Sequence, residues 1–110
     1  MSLLAMMVPI LRGKKDVWLA GIEQMKRAEV KPSTDALREE AGVHERTFLQ
    51  ETPNGDFVIL TYEGDNPVES YAKIMAGIPE DFAKFAMDVH GLDVNAPPPA
   101  LPSLVYDSRS

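Results

Sequence analysis

The chain has 110 residues, enough for one domain with a modest core, and its 45% apolar and 25% charged content is that of a globular protein, not a disordered one. Eleven basic against seventeen acidic residues leave a formal charge of −6, which disfavours nucleic acid, whose phosphates need a basic footprint, and supplies no polybasic membrane patch. The absence of cysteine excludes disulfides, thiolate metal ligands and a cysteine nucleophile, and it suits a cytoplasmic setting.

Residues 3–10 are apolar on both alternating sets, Leu3, Ala5 and Met7 against Leu4, Met6 and Val8, which predicts a strand covered on both faces. Charges follow this run instead of preceding it, and it is too short to span a bilayer, so it is expected to be structure and not a signal or an anchor. Pro9 marks its end and Gly13 opens a turn. Trp18, Ile22 and Met25 then recur at helical spacing with Val17, Gly21 and Ala28 beside them, placing Trp18 in the core. Pro32 interrupts the pattern, because proline clashes with the preceding turn. Ser33 is the expected cap of a second piece that runs to Ala41 and stops at Gly42; one kinked helix and two separate helices both satisfy the pattern.

The most informative stretch is residues 44–63. Two apolar, β-branched and aromatic runs flank Thr52, Pro53, Asn54 and Gly55, and Asn-Gly between such runs predicts a hairpin, since a tight turn matching strand twist needs positive φ. On its first strand Thr47 and Leu49 alternate with His44, Arg46, Phe48 and Gln50; on its second Phe57 and Ile59 alternate with Val58, Leu60 and Tyr62. Asn66, Pro67 and Glu69 then form a helix start. Tyr71, Ile74 and Met75 make a short apolar side, Gly77 breaks it, and Pro79 begins a further helix with Phe82, Phe85, Ala86 and Val89 on one face and Gly91 as its stop. Residues 95–102 hold four prolines and are expected to run as extended polyproline II, the beginning of a Pro-rich arm over residues 95–110 in which Leu104, Val105 and Tyr106 form a last short strand.

Strand, helix, strand, strand, helix, short strand is the split pattern of an α+β, ferredoxin-like βαββα(β) sandwich spanning residues 1–110 as one domain, with an antiparallel sheet and helices on one face. In it the first and third strands lie centrally. The opposite face then exposes a large apolar patch, which two copies bury by packing face to face into a two-fold homodimer with a barrel-like interior. The run Arg46, Phe48 to Pro53, Gly55, Asp56, then Glu63 to Pro67, and His90 to Asp93 before the proline cluster, resembles a group of uncharacterised bacterial proteins among the dimeric α+β barrels. That superfamily contains antibiotic-biosynthesis and haem-degrading monooxygenases. The resemblance implies the dimeric barrel fold and no particular activity, and the Lys31, Pro32, Ser33 interruption departs from the uninterrupted first helix of the pattern.

Chemistry is sparse. His44 and His90 are the two histidines; no HExxH or paired-histidine motif provides a metal site, and glycine-rich phosphate loops, nucleophile elbows and dinucleotide fingerprints are absent. No cofactor is implied, haem being a weaker option that needs a histidine facing a large apolar cleft. His90 before Gly91 reads as a helix C-terminal residue favoured by the dipole. Arg46 is the leading site candidate: helices with apolar stripes do not accept it, so His44, Arg46, Phe48 and Gln50 are expected on the sheet face turned away from them. Arg46, Phe48 and Tyr62 are the expected ligand-binding residues and Arg46, His44 and Tyr62 the candidate catalytic set, for a small acidic or aromatic ligand. The structural alternative is an ion pair of Arg46 with Glu63. Three function classes follow: a small-molecule site of cofactor-independent monooxygenase or isomerase type, a non-catalytic binding or sensing module, and a structural dimerisation domain.

Overall fold

The computed structural model describes residues 2–94, 96 and 100–109. Seven elements follow in order: β1 (Ser2–Ile10), α1 (Lys15–Met25), α2 (Lys31–Ala41), β2 (Val43–Thr52), β3 (Gly55–Gly64), α3 (Pro67–Ala76) and α4 (Glu80–His90). The three strands form one antiparallel sheet in the order β1-β3-β2, an α+β arrangement consistent with a ferredoxin-like fold.

The hairpin forms because its turn chemistry and strand patterning agree. Thr52 pairs with Gly55, leaving Pro53 and Asn54 as the two loop residues. Positive φ falls on Gly55 alone, at 133°, and not on Asn54. Thr52 Oγ1 closes the turn, accepting from Asn54 N at 3.2 Å and donating to the Gly55 carbonyl.

Helix boundaries follow local rules. Asn66 caps α3, its Oδ1 accepting from Glu69 N at 3.3 Å while its Nδ2 donates to Glu69 Oε2 at 3.0 Å, with Pro67 in the first turn where its missing N–H costs nothing. Gly42 and Gly91 end α2 and α4 in the left-handed region, at φ 77° and 66°. The region around Pro32 resolves into two helices. A continuous helix would require a Pro32 N–H; ending α1 at Met25 and restarting at Lys31 puts Pro32 in a first turn, where no such donor is needed. Ser33 is not the cap: it lies inside α2 and its Oγ donates to the Val30 carbonyl at 2.9 Å. With α1 ending early, Ala28 lies beyond the helix and is exposed, as is Val17.

All four helices cover one face of the sheet. Leu4, Met6, Val43 and Tyr62 meet Ile74 in one cluster with Leu37 and Tyr71 packed against it; Ile10, Trp18, Val58 and Val89 form the other, with Phe85 and Ile22; Leu60 packs against both. Within each strand the residues in these clusters alternate, and the register aligns them across the strands, so they lie on one face.

Two expectations are corrected. β3 is central, but β1 is an edge strand among the described residues; within one chain its helix side is covered, and Leu3 and Met7 are exposed on the other. Its expected neighbour is missing because Leu104, Val105 and Tyr106 form no strand. Half of the polyproline II expectation, residues 95 and 97–99, lies outside the described residues.

Candidate functional site

The uncovered sheet face has a readable layout, because antiparallel register places residues that share a face in rows across the strands. From the hairpin end the rows read Pro9, Phe57, Gln50; then Met7, Ile59, Phe48; then Ala5, Thr61, Arg46; then Leu3, Glu63, His44. Polarity therefore runs across the sheet. The β1 side is wholly apolar, the middle mixed, and the β2 side carries Arg46 and His44. Met7 and Phe48, at opposite ends of an apolar row, are 60% and 50% exposed, so no element among the described residues shields the ends of that row.

Arg46 sits beside this row. Its Nη1 lies 3.7 Å from Glu63 Oε1 on the neighbouring strand, with both side chains partly in solvent. A carboxylate lying on the face would compete with Glu63 for the guanidinium, whose planar fork suits such a group. His44 is two residues away on the same side of β2. At this edge it also lines a groove of about 300 Å³ between α2 and the start of β2, with Lys31, Thr34, Arg38 and Glu45 among the other walls.

Tyr62 does not join them. It shares parity with Val58 and Leu60, pairs with Glu45 in the ladder and is buried on the helix side, so the sheet separates it from Arg46. There it belongs to a polar group that sequence reading missed. Arg38 Nη2 approaches Glu45 Oε1 at 3.5 Å with both side chains largely buried, and Arg38 Nη1 donates to the Thr34 carbonyl at 3.3 Å. Tyr62 lies opposite Glu45 in the ladder, and its ring centroid lies 5.6 Å from that of Tyr71. Burial, reinforced by the Glu45 carboxylate, pushes the Tyr62 phenol up from its ordinary value, and burial alone pushes Tyr71 the same way. Tyr62 is thus held protonated as a donor, which suits a structural network. A sequence signal existed: Glu45 shares parity with Val43 and Leu49, so a carboxylate pointing under the helices required a nearby cation.

His90 is an anchor. Pro9 offers a carbonyl, so His90 Nδ1 carries the proton and donates to it at 2.7 Å, while Phe85 meets the imidazole edge-on at 6.4 Å. Leu11 N donates to the Val89 carbonyl at 2.7 Å, fastening the same junction of β1 and α4. Among the described residues no group of three or more His, Asp or Glu side chains could hold a metal ion, and no helix is long and apolar enough to cross a membrane. The chain matches no protein-family model, curated protein or solved structure at a significant level.

Proposed function

We propose that the chain works as a homodimer whose two uncovered sheet faces pack together, enclosing a site for a small acidic or aromatic molecule held against Arg46. One observation carries this: an apolar row of Met7, Ile59 and Phe48 lies uncovered beside a row that ends in a fixed cation. Burying such a face against a second copy removes apolar surface from water and lowers the dielectric around Arg46, which strengthens its attraction for an anion. Phe48 supplies a ring for an aromatic ligand, and His44 stands near Arg46 as a proton-transfer group beside the Glu63 carboxylate, since Tyr62 lies behind the sheet. Binding is therefore the primary activity; turnover of monooxygenase or isomerase type would depend on His44. The Arg46 and Glu63 pair favours a second reading, in which the guanidinium is already satisfied and the face serves dimerisation alone.

A thermal-shift and calorimetric screen of aromatic carboxylates, with haem followed by absorbance, tests the site. The expected result is stabilisation by a carboxylate that Arg46→Ala abolishes while the dimer persists. An intact dimer that responds to none of these compounds contradicts the binding site and leaves the dimerisation reading.

A further inference from the structure

The two edges of the sheet are built differently. β2 carries His44, Glu45, Arg46 and Glu51, and charge along an edge discourages pairing with another chain. β1 reads SLLAMMVPI, nine residues without a charge, and it is blunted only near its end, where Pro9 lacks an N–H and its carbonyl already accepts from His90 Nδ1. Its backbone pairs with β3 on one side and with no strand on the other among the described residues. A long, uncharged apolar edge is a template for strand addition.

The same chain carries a segment suited to that edge. Leu104, Val105 and Tyr106 are 81%, 91% and 80% exposed and belong to no strand. β-branched and aromatic side chains favour strands, and among the described residues no other unpaired run has three consecutive large apolar side chains. The arm is tethered close by. Leu101 packs against the cluster that contains Leu4 and Met6 of β1, and three extended residues span about 10 Å. Despite that reach, the segment leaves its own β1 unpaired.

We infer that residues 104–106 of one copy add as a strand to the free edge of β1 in a second copy, the two arms being exchanged about the two-fold axis. This rests on the homodimer proposed above but concerns a different surface, the edge of the sheet and not its face. Alternation then sets Leu104 and Tyr106 on one side of the extended sheet and Val105 on the other, so either register brings a large apolar arm residue beside the Leu3 and Met7 side. Each exchange converts unpaired β1 backbone groups into ladder hydrogen bonds and covers side chains that each copy alone leaves in water.

Isotope-filtered NMR on an equimolar mixture of labelled and unlabelled full-length chain tests the exchange. The expected result is a set of cross-peaks between copies linking residues 104–106 to β1 amides. These should be lost in Val105→Pro, which removes a strand N–H, and retained in Val105→Ile. Contacts confined to a single copy, or no contact between the arm and β1, would overturn the exchange. Sedimentation of the same samples separates the two ideas. A wild-type dimer without intercopy arm contacts leaves face packing standing and removes the arm; a wild-type monomer removes both.

Discussion

Arg46 and Glu63 meet diagonally across the ladder of β2 and β3, 3.7 Å apart, with side chains 48% and 40% exposed. An ion pair that wet contributes little to stability, at most about 1 kcal/mol. Glu63→Gln should therefore leave the denaturation midpoint nearly unchanged while tightening the binding of a carboxylate ligand, because Arg46 loses its internal competitor. Equal or weaker binding in Glu63→Gln would count against Arg46 as the anion contact.

Gly64 is required by a close approach. A Cβ there would lie 2.4 Å from the Gly42 carbonyl oxygen, a backbone atom fixed at the end of α2. Gly64→Ala should cost about 1–3 kcal/mol by overpacking. Gly55, by contrast, has open space around its Cβ position and is constrained by its φ of 133°, so Gly55→Val should cost more than about 1 kcal/mol through β-branched strain. Urea denaturation of both variants checks the two mechanisms.

Tyr62 predicts an alkaline loss of stability. Its folded pKa is raised above the ordinary 10.0, so the folded state keeps a proton that the unfolded chain releases. The contribution is complete below pH 10.0 and is lost as pH rises above it, at about 1.4 kcal/mol per pH unit. Tyr71 shifts the same way, so Tyr62→Phe should flatten the decline without removing it. Denaturation midpoints across the alkaline range in wild type and variant would show this, and identical slopes would contradict it.

His90→Ala should lower stability by about 1–2 kcal/mol, through loss of the donor to the Pro9 carbonyl and of the contact with Phe85. Ligand binding and subunit mass should not change. A binding defect equal to that of Arg46→Ala would place the site at the wrong end of the molecule.

Much of the fold was legible because local chemistry decided it. The Asn66, Pro67 and Glu69 start, the stops at Gly42 and Gly91, and the hairpin each depend on residues within a few positions of one another. Parity also placed His44, Arg46 and Phe48 on the uncovered face, and the same parity, followed through the register of β3, puts Tyr62 with Val58 on the other. Where distant contacts decide, the residues were less informative. Arg38 and Glu45 are joined across the turn from α2 into β2; the parity of Glu45 on β2 calls for a cation, but nothing local to Arg38 marks it as that partner. Ser33 has the composition of a cap, but the helix begins at Lys31 because Pro32 is tolerated in its first turn. Leu104, Val105 and Tyr106 have strand-forming side chains, yet a strand needs an edge to pair with, and composition does not say whose.

Sedimentation equilibrium of the wild type and Ile59→Asp at micromolar concentration tests the dimer most directly. Ile59 lies between Met7 and Phe48 on the uncovered face, whereas Leu60 faces the helices, so the aspartate at 59 loads the proposed interface and spares the core. The expected wild-type mass is twice the 12.1 kDa of one chain, falling to that of one folded chain in Ile59→Asp. A wild type that sediments as a single chain, or an Ile59→Asp variant that remains dimeric, would contradict the packing of the two faces.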